Sequence, residues 1–95
     1  MQHQLRIYQV KKGRMDDWIS IWRSEVLPIR RRFGFSVIGP WIVRDENRFV
    51  WIVEHDNFSE ANAAFYASPE RSAIEPQISN YLDDVEAWML DSLGA

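Results

Sequence analysis

The 95-residue sequence contains no cysteine. That removes a thiol nucleophile, a disulfide framework and any zinc site built on thiolates. Small extracellular domains often lean on disulfides, so the absence favours a cytoplasmic location. Basic residues are also in deficit: 11 Lys and Arg stand against 14 Asp and Glu, a net charge of −3. This balance offers no electrostatic footprint for nucleic acid, and none is expected as a partner. Long apolar runs are missing too. The longest nearly apolar stretch, residues 37–43, is too short to span a bilayer and is broken by Gly39 and Pro40, so no membrane partner is expected. The opening MQHQLRIYQV has neither the basic nor the apolar region of a secretory signal. The four glycines are scattered, which leaves no glycine-rich phosphate loop. Ser20, Ser24 and Ser36 lie in no G-x-S-x-G pattern, which argues against a serine hydrolase.

What is present is apolar material. Hydrophobic residues make up 46% of the chain and aromatics 14%, with five Trp, enough to build a core and to exclude disorder. The length suits one domain spanning residues 1–95. A domain of this size buries only about two-thirds of its unfolded surface, so an oligomer interface would help it.

Residues 4–10 alternate as a strand, with Leu5 and Ile7 on one side and Arg6, Tyr8 and Val10 on the other. From about Arg14 to Phe33, Met15, Trp18, Ile19, Trp22, Val26, Ile29 and Phe33 recur at spacings of three and four, which predicts one long helix. Asp16 and Asp17 in its first turn and Arg30, Arg31 and Arg32 in its last complement the helix dipole. Pro28 is expected to kink this helix or split off its last turn. Residues 35–43 and 49–55 read as two strands joined by a polar turn, a hairpin. Gly39-Pro40 suggests a bulge or an edge. Ser59 looks like the N-cap of a helix to about Ala67. Ser68-Pro69-Glu70 restarts the chain into a short helical piece near residues 71–78, interrupted by Pro76. In the last segment, Leu82, Val85 and Met89 fit a helix, whereas Val85, Ala87 and Met89 alternate like a strand. The preceding order β, α, β, β, α calls for a strand. The expected fold is therefore α+β, a ferredoxin-like βαββαβ unit with an antiparallel sheet.

Both hairpin strands are apolar on both faces. Phe49, Trp51 and Val53 oppose Val50 and Ile52; Phe35, Val37 and Trp41 oppose Ile38 and Ile42. A sheet with one wet face should alternate apolar and polar residues. Two helices cover only one face, so the second is expected to be covered in a homodimer. The alternative is a C-terminal helix that covers it within the monomer.

The order Leu5-Arg6-x-Tyr8, Lys12-Gly13-Arg14-Met15, Glu25-Val26-Leu27-Pro28-Ile29-Arg30 and Gly34-Phe35, followed by the Trp41–Trp51 hairpin and the Ser68-Pro69-Glu70 step, resembles the NIPSNAP family. The resemblance covers nearly the whole chain. It implies a dimeric α–β barrel of ferredoxin-like topology whose final segment is a strand. One position departs from the family pattern: an acidic residue often stands two before the arginine, and here that residue is Gln4. The family name supplies no reaction. Superfamily neighbours include cofactor-independent monooxygenases acting on aromatic polyketides, haem-degrading enzymes and muconolactone isomerases, which are analogies of fold alone.

The candidate site residues are few. Arg6 and Tyr8 share a face of the first strand and could orient an anionic or phenolic ligand, or Arg6 could simply bond a neighbouring carboxylate. His55 ends the third strand; it is either a surface histidine or, if it follows Trp51 and Val53 onto their face, a general base at a pocket. His3 lies in what reads as a frayed terminus. Trp18 and Trp22 fit the core, while Trp41 and Trp51 are the better pocket candidates. The Arg30-Arg31-Arg32 run reads as a solvated helix end. Together these point to a dimeric barrel that binds a small hydrophobic or aromatic molecule without cofactor or metal, and that could act on it as a cofactor-independent monooxygenase-like enzyme. Tyr8 and His55 would be the catalytic candidates, and Arg6, Trp41 and Trp51 the ligand contacts. Two other readings stand beside it: a non-catalytic interaction or stress-related module, and a haem protein with His55 as ligand. Whether the chain is an enzyme is left open.

Overall fold

The structure, a computed structural model, describes residues 1–94. Four strands form one sheet: β1 (Gln2–Val10), β2 (Ser36–Val43), β3 (Arg48–His55) and β4 (Leu82–Leu90). They lie in the order β2-β3-β1-β4, every neighbouring pair antiparallel. Between β1 and β2 the chain is helical from Met15 to Arg32; after β3 come α3 (Phe58–Ala67) and α4 (Pro69–Tyr81). This is the ferredoxin-like βαββαβ order, and the ambiguous last segment is its fourth strand.

The helices pack on one face of the sheet. Gln4, Arg6, Tyr8 and Val10 of β1 share that side with Phe49, Trp51 and Val53 of β3, as the pairs Gln4 with Val53, Arg6 with Trp51 and Tyr8 with Phe49 require. Trp18, Trp22, Val26 and Ile29 come down on them from the first helical run. The Trp22 ring meets those of Phe49 and Trp51 edge-on, both at 5.2 Å. Ile74 and Ile78 of α4 and Phe58 and Phe65 of α3 complete this core.

The first helical run departs from a single α-helix. α1 spans Met15–Ile21, a π-helical turn follows over Trp22–Val26, and α2 spans Leu27–Arg32. The Leu27 N–H donates to the Trp22 carbonyl, five residues back. Pro28 therefore sits in the first turn of α2, where its missing N–H costs least, and the break precedes it. Pro76, expected to interrupt, lies inside α4. Both it and Ser72, whose carbonyl loses the helical bond, are exposed, so water can take that carbonyl. The cap of α3 is Asn57 rather than Ser59. Ser68 caps α4, its Oγ accepting from the Arg71 N–H at 3.2 Å and donating to the Phe65 carbonyl at 2.7 Å.

The hairpin corrects one face assignment. Ile38 pairs with Ile52, but Trp41 pairs with Val50, so β2 holds one more residue than β3 across Gly39-Pro40. This bulge puts Trp41 beside Ile38 and Ile42 beside Val37, the reverse of strict alternation. Gly39 has φ +101°, and a Cβ there would stand 2.8 Å from the Trp41 ring. The open face thus carries Ile38, Trp41, Val50, Ile52, Leu5, Ile7 and, from β4, Trp88 and Leu90. His3 is also ordered within β1, its Nε2 2.7 Å from Glu54. No described helix is long and apolar enough to cross a membrane.

Candidate functional site

A cavity of about 390 Å³ lies between the helix-covered face of the sheet and the helices. β1 supplies Arg6 and Tyr8, β3 Trp51, α1 Trp18, the π turn Val26, α2 Arg30, α3 Phe65 and Tyr66, and α4 Arg71, Glu75 and Ile78. The period of two in β1 delivers the first pair: Arg6 and Tyr8 are both buried, with the phenol two residues on accepting from Arg6 Nε at 2.8 Å. Arg6 Nη1 donates to Gln4 Oε1 and Nη2 to the Tyr66 hydroxyl, each at 2.8 Å. Burial by itself disfavours this cation, but Tyr8 and Tyr66 more than offset it and hold the guanidinium above its ordinary pKa.

Arg30 is the residue that sequence reasoning missed. It is 1% exposed, not a solvated helix end. Its guanidinium lies 3.9 Å from the Phe65 ring and 4.7 Å from Phe35, and Nη1 donates to Asn62 Oδ1 at 2.8 Å. Desolvation, then the nearby charge of Arg6, pull its pKa down to about 10, so it remains cationic at neutral pH. The π turn explains its position. An i+5 turn advances each residue through less than the ~100° of an α-turn, so the turn winds the later residues back toward the Trp22 stripe. The readable signal was the unbroken i+4 series Trp18, Trp22, Val26, Arg30, masked by the basic run in which Arg30 sits.

Of the other candidates, Trp51 is fully buried and lines the cavity beside Arg6. Trp41 does not join them; it is on the opposite face and 52% exposed. His55 does follow Trp51 and Val53 onto the helix side, but it does not line the cavity. Its Nδ1 accepts from the Asn57 N–H at 2.8 Å and its Nε2 lies 3.1 Å from the Phe33 carbonyl. The accepted bond at Nδ1 places the ring proton on Nε2, which donates to Phe33. His55 thereby ties β3 to both α2 and α3. Gly34 makes room for it: its φ is +86°, and a Cβ there would approach Nε2 to 3.0 Å. Among the described residues no three His, Asp or Glu side chains are grouped to hold a metal.

The NIPSNAP sequence model matches residues 3–88. Among solved structures, the chain is similar to an uncharacterised NIPSNAP domain protein from Burkholderia xenovorans, with 24% identity, TM-score 0.86, and 97% of this chain and 94% of that one covered. A NIPSNAP family protein from Agrobacterium tumefaciens is similar at 18% identity and TM-score 0.81, over 94% and 90% of the two chains. A putative antibiotic biosynthesis monooxygenase from Nitrosomonas europaea shares the fold at 14% identity and TM-score 0.77, over 99% and 100%. No curated protein matches the sequence.

Proposed function

The chain belongs to the NIPSNAP family, and from that premise we propose that it is a homodimeric, cytoplasmic protein that binds a small flat hydrophobic or aromatic molecule in the helix-side cavity. One observation carries the reading. The space between sheet and helices is not filled by side chains; it is a cavity of about 390 Å³ whose wall combines aromatic and aliphatic residues with Arg6, Arg30, Arg71, Glu75, Asp83 and Asp84, the size of a small-molecule site. A non-catalytic module would more naturally fill that volume. A haem site is the less supported alternative, because both His55 nitrogens are engaged and the ring is outside the cavity lining.

The homodimer is supported by the open face. Trp41, Val43, Trp88, Ile38 and Leu90 are 39–58% exposed there, an apolar surface of the kind that marks an interface. Two sheets packed face to face would cover it.

A second reading has the bound molecule oxidised by O₂ without a cofactor. Its support is the shared fold with monooxygenases and the placement of the Tyr8 hydroxyl, hydrogen-bonded to Arg6, within the cavity lining. There Tyr8 could move a proton while Arg6 holds developing negative charge.

Native mass spectrometry of freshly purified protein tests the main reading. A dimer carrying an added small mass is the expected spectrum. A monomer, or a chain that binds none of a panel of aromatic compounds on subsequent titration, would remove it.

A further inference from the structure

A buried cation without a counter-ion is costly, because it gives up hydration and receives nothing equivalent. The cavity holds two buried cations; Tyr8 and Tyr66 compensate Arg6, whereas Arg30 has no comparable partner. Arg6 is 6% exposed and Arg30 1%, and the ion pairs among the described residues, His3 with Glu54 and Arg71 with Glu75, include neither. Their guanidinium carbons lie 5.9 and 5.8 Å from the same Trp51 ring, so the like charges are crowded around one side chain. The groups that Arg6 does reach, Gln4, Tyr8 and Tyr66, are side-chain amide and phenols.

The unsatisfied hydrogen-bonding groups have one sign. Arg30 Nε is buried with no acceptor, and so are the indole Nε1 atoms of Trp18 and Trp51 in the cavity wall and of Trp22 outside it. Folded proteins pair nearly all such donors, and each exception asks for an explanation. Arginine and tryptophan side chains carry donors only and these nitrogens are closed off, so what a cavity ligand can supply is negative charge beside Arg30 rather than an acceptor for each. The acidic residues of the lining lie elsewhere. Glu75 is bonded to Arg71, and Asp83 and Asp84 are exposed at the start of β4. Charge is therefore segregated, positive at the buried end and negative at the outer wall.

Resting on the reading of this cavity as a small-molecule site, we infer that its ligand is an organic monocarboxylate with a flat apolar body, gripped by Arg30 and backed by Arg6. With Nη1 bonded to Asn62 and Nε closed off, Arg30 presents Nη2 to the cavity, a charge-assisted donor for one carboxylate oxygen. The Phe65 ring, its centroid 3.9 Å from the guanidinium carbon, holds Arg30 in place. Tyr66, Leu82 and Val85, the accessible apolar residues of the lining, provide the surface for the body. The outer acids oppose a multiply charged phosphate more than a single carboxylate, and they favour a bound pose with the anionic end away from them, toward the buried arginines.

Calorimetric titration of the full chain with phenylacetate, indole-3-acetate and octanoate, each against its uncharged amide, tests this. At least one acid should bind, with its amide weaker by about tenfold or more. Arg30→Met, which removes the charge, should weaken that acid about tenfold or more, and Arg30→Lys, which keeps it, by less. Thermal melts of both variants verify folding. Equal binding of acid and amide overturns the carboxylate inference and leaves the small-molecule reading standing. Binding of none of the six overturns both. Inorganic phosphate that binds more tightly than every acid, or a folded Arg30→Met protein that binds the acid as wild type does, overturns the assignment of the carboxylate to Arg30.

Discussion

The helix-covered face of the sheet holds Arg6 and receives Arg30 from above, two buried cations lying among aromatic rings. The open face holds Leu5, Ile7, Ile38, Trp41, Val50, Ile52 and Trp88, with His3 and Glu54 paired at one end. The usual distribution is inverted: charge is enclosed where the chain provides cover, and apolar surface is left where it provides none. Each face is incomplete in a different way. The inner one lacks an anion, which a small molecule could supply. The outer one lacks a layer, which a second copy could supply.

The largest effect should come from charging the outer face. Ile52→Glu puts a carboxylate at the centre of β3, between Leu5 and Ile38. It should weaken dimerisation by at least about 100-fold, since the charge must be desolvated at the interface. Light scattering during gel filtration reads the mass directly, and an unchanged dimer would mean that this face is not the one paired.

Arg30→Met sharpens the contrast from the inner side. Exchanging an uncompensated buried cation for an apolar chain of similar length should raise the unfolding free energy, on the order of 1–4 kcal/mol, in urea melts at neutral pH. The sign with pH follows from the pKa, lowered by burial and by Arg6 to about 10 although Tyr66 and Tyr8 oppose the shift. Below about 10 the penalty of the charge is fully present. It is relieved as pH rises through that value, so the gap between variant and wild type should narrow only in strong alkali. A variant less stable than wild type at pH 7 would show that stacking on Phe65 and the bond to Asn62 outweigh the charge.

A smaller change is expected from Gln4→Glu. Gln4 Oε1 accepts from Arg6 Nη1 at 2.8 Å, so a carboxylate there would give Arg6 an internal counter-ion. Carboxylate binding should fall by roughly three- to tenfold while an uncharged analogue is unaffected. Equal loss of both would point to a change of shape instead. Last in size is Ser68→Ala, which removes the cap of the helix that roofs the cavity. It should lower stability by about 1 kcal/mol, seen as a fall of a few degrees in Tm, with little change in dimer mass.

Legibility followed how local the cause was. In β1 the period of two placed Arg6 and Tyr8 together, and the structure keeps them on one side of the sheet. Trp51 reached the same cavity because β3 is regular and pairs it with Arg6. Trp41 was read onto the wrong side because one bulged residue at Gly39-Pro40 reverses every side chain beyond it. Arg30 was hidden because a π turn changes the phase of the helix before it, and because three consecutive arginines at a helix end already have an adequate electrostatic reason to be there. Pro76 reads as a breaker, yet its helix faces water at that point and tolerates the lost bond.

By itself the sequence determined the order of strands and helices, the apolar excess on the hairpin and the alternation that aligns Arg6 with Tyr8. These depend on periods of two and of three to four residues, which any short window contains. Tertiary structure alone decided that the last strand lies at the sheet edge beside β1, that Trp41 and Trp51 part company, and that Arg30 is drawn into the cavity without a counter-ion. These outcomes depend on strand register, a bulge, a π turn and the burial of groups far apart in the chain. Each is settled by packing among distant residues rather than by the preferences of neighbours.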